Sequence, residues 1–202
     1  MDCEGSLGVM KTIFIIGDDK LGRLAAAELN APDAIWLNRS VDSKRVVRLI
    51  KTGAIKLQDV LAIAFADLRR PNVAAPDLPI IRTNAEMLEL IRTQAPDRII
   101  CYRAGLVLTR KVLDQPVQFL NVHCADLPKY GGLGTLHRAL RDKAFTQNAC
   151  LHEITTVIDG GRVLHKEPYQ LSPARSFRRN EDIAYAAGRK ILGDLAAGQI
   201  TP

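Results

Sequence analysis

Short apolar runs alternate with amphipathic stretches along most of the chain. That is the pattern of an α/β protein with a largely parallel, buried sheet. Residues 12–16 form an uninterrupted apolar run and read as a first strand, closed by Gly17, Asp18 and Asp19. A helix is expected over 21–29, a short strand over 34–37 and a basic amphipathic helix over 43–50. Residues 57–68 are dense enough in apolar side chains to hold a helix plus a buried strand, and periodicity does not choose between them. A strand follows at 78–81, and Asn84 is the expected N-cap of a helix running to Gln94. Further strands are expected at 98–101 and 119–122, with a short helix over 108–113 between them. Gly131, Gly132 and Gly134 make a flexible loop before a helix near 136–141. Two later strands, 150–157 and 162–169, flank a turn at Asp159, and a helix over 183–197 closes the chain. No internal repeat, low-complexity tract or linker interrupts this order.

In open α/β sheets ligands collect at the carboxyl ends of strands. The strand at 119–122 delivers Asn121 and His123 to such an end, and Asp159 lies far downstream beside Gly160 and Gly161. An amide, an imidazole and a carboxylate are the groups needed to stabilise an oxyanion, move a proton and orient a base. Asp159 can also be read as part of an ordinary Asp-Gly-Gly hairpin turn between 154–158 and 162–164, and both readings can hold at once.

The stretch Asn121-Val122-His123-Cys124-Ala125-Asp126-Leu127-Pro128-Lys129-Tyr130-Gly131-Gly132 resembles the Asn-x-His-x-x-x-Leu-Pro-[Lys/Arg]-Tyr-x-Gly loop of the folate-dependent formyltransferases. Asp159, Gly160 and Gly161 look like that family's Asp-[Gly/Thr]-Gly turn. Ala104, Gly105, Leu106, Val107 and Leu108 are similar to its folate-binding segment, and Arg138, Ala139 and Leu140 to the helix after the loop. His152 sits where the family often carries a His. The resemblance runs from about residue 96 to 163 and is weaker, though compatible in layout, before that. It implies a formyltransferase-like Rossmann-type fold, with a mostly parallel sheet flanked by helices. It also implies N-formyl transfer from 10-formyltetrahydrofolate to a primary amine, with no metal. Asn121 and His123 would stabilise the oxyanion or relay a proton, and Asp159 would take the amine proton or hold His123. Ala104, Gly105, Leu106, Val107 and Leu108 with Val157, Ile158 and Gly160 would line the folate pocket. Lys129, Tyr130 and His152 would lie on the acceptor side.

Composition narrows the setting. One domain over residues 10–202 is the default for 202 residues, with 1–9 as a disordered extension and Met10 as an alternative start. No apolar run approaches a membrane span, and the acidic start at Asp2 and Glu4 does not read as a secretory signal. The four cysteines show no paired spacing, which points to a reducing compartment, the cytoplasm, and away from a disulfide scaffold or zinc site. The net charge of +6 suits an anionic small substrate or a polyanionic cofactor, and equally a merely soluble basic surface. Basic residues are scattered and aromatics make up 5% of the chain, so nucleic acid is disfavoured. Residues 175–179 are the densest basic patch, either a substrate contact or a solvated helix start.

Other chemistry-bearing residues are secondary. Cys124 follows His123 directly, but sequence neighbours on an extended chain point apart. His165 reads as structural, and His137 is a poor match to the family. Residues 17–22 lack the Gly-x-Gly-x-x-Gly spacing. They also lack the Ser-Gly-x-Gly-Ser-Asn segment with which glycinamide ribonucleotide formyltransferase cradles a phosphate, and Asp18 and Asp19 would repel one. With the sequence reaching Pro202 soon after the core fold, the added C-terminal domain of methionyl-tRNA formyltransferases is not expected, and that reading is disfavoured. The expected acceptor is therefore an amino sugar carried on a nucleotide. Glycinamide ribonucleotide transfer, formyl-folate hydrolysis and silent folate binding are the alternatives.

Overall fold

The computed structural model describes residues 10–29, 31, 34–40, 47–48, 50–53, 56–73 and 77–202. The expected extension over 1–9 and most of the helix expected at 43–50 lie outside the described residues. Seven strands form one sheet: β1 (Thr12–Gly17), β2 (Ile35–Asn38), β3 (Ile80–Ile81), β4 (Arg98–Tyr102), β5 (Gln118–His123), β6 (Thr146–Glu153) and β7 (Val163–Gln170). Their order is β3-β2-β1-β4-β5-β6-β7. The first five are parallel, and β6 and β7 are antiparallel to their neighbours. The flanking helices are α1 (Lys20–Glu28), α2 (Leu57–Leu68), α3 (Asn84–Gln94), α4 (Arg110–Leu113), α5 (Thr135–Arg141) and α6 (Phe177–Ala196). This is the mostly parallel, helix-flanked sheet that the hydrophobic pattern predicts.

Alternation along each strand divides the core in two. Phe14, Ile16, Ile100, Leu120 and Leu151 face one side with Ala184, Ile191 and Leu192 of α6. Ile13, Ile15 and Ile99 face the other, against Met87, Leu90 and Ile91 of α3 and Val112 of α4. Strands buried on both faces explain why β1 and β4 read as continuous apolar runs.

Four expectations are corrected. Residues 57–68 are one helix rather than a helix plus a buried strand. α3 is capped by Thr83: its hydroxyl accepts from the Glu86 amide, and the Glu86 carboxylate accepts from the Thr83 amide. This capping box moves the cap one residue ahead of Asn84. β6 spans 146–153 rather than 150–157, so residues 154–162 form a broad loop instead of a tight hairpin. α6 begins at Phe177, six residues before the expected start, with Ser176 as its cap. Replacing Thr83 with Ala should cost about 1 kcal/mol of stability. Urea unfolding checks this through a lower midpoint at unchanged slope, and an unchanged midpoint would contradict the capping role.

Strand order reverses between β1 and β4: the chain moves outward from β1 through β2 to β3, then from β4 through β5 in the other direction. This is the switch point where open α/β sheets form a crevice at their carboxyl ends. The ends of β4 and β5, registered Tyr102 with Val122, carry the chemistry to that rim.

Candidate active site

Asn121 and His123 stand two residues apart on β5, so their side chains leave the same face of the sheet. Antiparallel pairing sets His152 of β6 directly opposite Asn121, beside a register shift between Leu151 and His152. The loop 154–162 then returns Asp159 to the two histidines. Asp159 adopts φ +52°, a left-handed conformation that Asp tolerates better than most residues. Gly161 is required two residues on, since a Cβ there would lie 1.9 Å from the Glu153 carbonyl oxygen.

The Asp159 carboxylate sits between two imidazoles. Its Oδ2 lies 3.5 Å from His123 Nδ1 and its Oδ1 3.5 Å from His152 Nε2. Oδ2 also accepts the Gly132 N–H at 2.7 Å, which fixes the glycine loop over the site. Gly132 carries φ +82°, a conformation glycine adopts freely. Arg138 of α5 donates to the Gly131 carbonyl and holds the same loop from the other side.

Hydrogen bonds to carbonyls fix both tautomers. His152 Nδ1 donates to the Glu153 carbonyl at 2.8 Å, so its Nε2 is the acceptor for Asn121 Nδ2 at 3.1 Å. One amide hydrogen of Asn121 is thereby committed and its orientation set, and the residue lines the cavity. His123 Nε2 donates to the Tyr130 carbonyl at 2.8 Å. The open nitrogen of the neutral ring is therefore Nδ1, facing Asp159, and a proton arriving there would be held by the carboxylate.

Electrostatics follow from this packing. Burial lowers the His123 pKa below its ordinary value of 6.5 and outweighs the opposing pull of Asp159 and the Tyr130 carbonyl. Burial raises the Asp159 pKa, but the facing His152 ring, the charge of His123 and the Gly132 amide more than offset it, bringing it to about 2. Asp159 thus adds stability above its unfolded pKa of 3.8, and that contribution is lost as pH falls toward about 2. For His123 the unfolded chain takes up its proton first, so this group's contribution to stability declines as pH falls below 6.5.

A cavity of about 390 Å³ opens beside these groups. Ala104, Gly105, Leu106, Val107 and Leu108 line one side, with Val157, Ile158 and Asp159 across from them. Val107, Val157 and Ile158 remain exposed at its mouth. The backbone of this segment is partly committed to side chains. Asn38, at the end of β2, accepts the amides of Gly105 and Leu106 at 2.9 and 3.3 Å, and Asn84 Nδ2 donates to the Val107 carbonyl at 3.0 Å. The slot is apolar along Leu106, Val107, Leu108, Val157 and Ile158, while the ends of β5 and β6 bring Asn121, His123 and His152 into it.

Other expected residues take different places. Gly160, Lys129 and Tyr130 are not among the cavity-lining residues. Tyr130 is buried, with its hydroxyl donating to Asp142, and Lys129 is exposed with its ammonium 5.2 Å from the Tyr130 ring centroid. Burial pushes the Cys124 thiol up to about 12, which leaves it protonated and no nucleophile. His137 stacks on Phe177 at 3.9 Å with Nδ1 3.5 Å from Asp59, while His165 lies on β7 with a buried Nε2 that has no partner among the described residues. The far side of the cavity is formed by Ile63, Thr135, Glu181, Tyr185 and Arg103, none of them flagged by sequence. Arg103 adjoins the expected segment and had a positional hint; Glu181 had none. Among the described residues, no group of three or more His, Cys, Asp or Glu is placed to hold a metal ion, and no helix is long and apolar enough to cross a membrane.

Comparison with known proteins matches this arrangement to a family. The sequence model described as formyl transferase matches residues 70–192, more than half of the chain. Methionyl-tRNA formyltransferase from Neisseria meningitidis serogroup C is 27% identical over 125 residues, covering 61% of this chain and 40% of that protein. The chain thus spans well under half the length of such relatives. Phosphoribosylglycinamide formyltransferase from Anaplasma phagocytophilum has the same fold, with a TM-score of 0.63 at 12% identity over 95% of this chain and 88% of the other. A sugar N-formyltransferase from Shewanella sp. gives a TM-score of 0.60 at 14% identity over 96% and 72%.

Proposed function

Since the chain belongs to the formyl transferase family, we propose that it is an enzyme moving a formyl group from 10-formyltetrahydrofolate to a primary amine. The observation that carries this reading is the Asp159 carboxylate set 3.5 Å from both His123 Nδ1 and His152 Nε2, with Asn121 bonded to His152 beside it. The uncommitted amide hydrogen of Asn121 donates to the formyl oxygen as it gains charge, a contact typically worth about 2.7–4 kcal/mol of barrier. His123 Nδ1 accepts the proton released as the amine forms its new C–N bond. Asp159 holds the resulting imidazolium, and that proton returns to the folate nitrogen as its bond to the formyl carbon breaks. His152 fixes the amide of Asn121 rather than touching the reacting atoms.

The apolar slot formed by Ala104, Leu106, Val107, Leu108, Val157 and Ile158 suits a pteridine ring, with Gly160 contributing through the loop shape. The three described cysteines are free, which fits a reducing cytoplasm where reduced folates are also stable. Residues 10–202 act as one catalytic domain in this reading. The acceptor is an amino sugar on a nucleotide. The net charge of +6 favours an anionic partner.

Catalysis needs neutral His123, so kcat/KM should fall on the acid side with a midpoint below 6.5. A pH–rate profile checks this, and a midpoint above 7 would contradict it. The acceptor is tested by incubating the protein with 10-formyltetrahydrofolate and a panel of nucleotide-linked amino sugars, glycinamide ribonucleotide and simple amines. A mass gain of one formyl group on a nucleotide-linked amino sugar, lost in His123→Ala, supports the reading. Formylation of glycinamide ribonucleotide instead would overturn the acceptor.

A further inference from the structure

Surface helices turn an apolar stripe inward and a polar face to solvent. α2 does the opposite. Its buried residues are Asp59 and Ala66, and polar contacts anchor it. Asp59 Oδ1 lies 3.5 Å from His137 Nδ1 on α5. Lys20 Nζ donates to the carbonyls of Leu68 and Arg70 at 3.2 and 2.7 Å. Arg70, just past the helix, reaches Glu181 and Asp182 on α6. The large apolar side chains point away from the body: Leu57, Leu61, Phe65 and Leu68 are 56%, 60%, 52% and 74% exposed. Ala64 is exposed with them. A single exposed leucine needs no explanation, but large apolar residues lined up on one helix face form the kind of patch that marks an interaction surface.

The spacing of the patch sets the shape of its partner. Leu57, Leu61, Ala64 and Leu68 are separated by four, three and four residues. That is the seam of a helix that packs lengthwise on another helix. Phe65 flanks it, with the Arg69 guanidinium 3.9 Å over its ring. Four-three-four reads the same in both directions. Two copies of α2 laid antiparallel about a two-fold axis therefore match seam to seam: Leu57 meets Leu68 of the second copy, Leu61 meets its Ala64, and the reverse contacts follow by symmetry. The charges agree with this pairing. At 3.6 residues per turn, Lys56 and Asp67 fall on the same flank of the seam, and the antiparallel pair sets Lys56 of each copy within about 3 Å, along the axis, of Asp67 of the other. Lys56 is exposed, and the Asp67 side chain is 39% exposed.

We propose that the outward face of α2 is a self-association surface, and that the chain forms a two-fold dimer through an antiparallel α2–α2 pair. A second copy fits this face better than an unrelated partner, because the palindromic seam and the Lys56–Asp67 flank are both complementary to themselves. With 12 residues α2 is about 18 Å long. The pair therefore stands at the small end of specific interfaces, and the dimer should dissociate in the range of about 1–100 µM. The pairing does not depend on formyl transfer.

Sedimentation velocity of the full chain, from well below to well above that range, is the first test. The weight-average mass should rise from one chain toward two. Leu61→Glu puts an unpaired charge into the seam of each copy and should raise the dissociation constant at least about tenfold. Its melting temperature in dilute solution should match that of the wild type, since Leu61 is exposed in the single chain. Orientation is read from Leu57→Cys and Leu68→Cys, each combined with Cys3→Ser because the other three cysteines are buried. Mixed and oxidised, the two proteins should form a disulfide-linked dimer. Neither should do so alone, because like positions lie about 16 Å apart along the antiparallel pair. A wild-type chain that stays monomeric throughout would overturn the proposal, a result available whether or not the variants fold. Dimers that Leu61→Glu leaves intact would overturn it equally, as would either cysteine variant linking to itself as readily as the mixture does.

Discussion

Asp159→Asn is expected to slow formyl transfer by about 10²–10⁴-fold, the range for loss of a positioned acid–base group. The side chain keeps its shape, but its charge no longer stabilises a protonated His123 across 3.5 Å. The Gly132 amide can still donate to the retained oxygen, so the glycine loop should stay in place. Asn121→Ala is expected to lose about 10²–10³-fold through removal of the oxyanion donor. The two losses should not add, because groups that act as a unit fail together. Steady-state kinetics with folding checked by circular dichroism decides the matter. An Asp159→Asn protein within threefold of wild type would return Asp159 to a structural turn.

The largest stability effect is expected at Arg70. It is buried just after α2, donating to Glu181 at 2.6 Å and Asp182 at 2.9 Å on α6. Burial raises the Glu181 pKa even though the Arg70 contact opposes it, so this carboxylate depends on its partner. Arg70→Met leaves Glu181 buried and unpaired beside the cavity and should cost about 3–5 kcal/mol. Arg70→Met with Glu181→Leu should recover much of that loss, since replacing both charges removes the unpaired one. Urea unfolding of the single and double variants gives the coupling, and a loss under about 1 kcal/mol in Arg70→Met would contradict the role assigned to the pair.

The same residues show how far sequence reasoning reached. β1, β4 and β5 are buried on both faces, so their apolar runs were legible directly. Asn121, His123 and Asp159 were legible as a set because a strand end and a glycine turn carry them. α2 was not, because its periodicity is blurred. Leu57, Leu61, Phe65 and Leu68 stay exposed while Asp59 is buried, the reverse of an amphipathic pattern. The start of α6 was hidden for a related reason. Asn180 and Glu181 face inward in its first turns, satisfied by Ser172 and Arg70, and read as solvated positions. Asn38 and Arg103 shape the cavity through contacts 67 and 84 residues away in sequence, to Gly105 and Asp19, and no local pattern announces such pairs. At the β1–α1 turn the sequence suggested repulsion of phosphate by two acids. In the structure each of these acids is held by arginine: Asp18 by Arg23 and Arg39, Asp19 by Arg103.

The most direct test of the central claim is tetrahydrofolate production from 10-formyltetrahydrofolate with and without the acceptor amine. The proposed enzyme releases tetrahydrofolate only when the amine is present, in step with formylated product, and both signals vanish together in His123→Ala. Release at the same rate without amine would make it a hydrolase, and tight folate binding without any release would make it a binding protein; either would contradict formyl transfer.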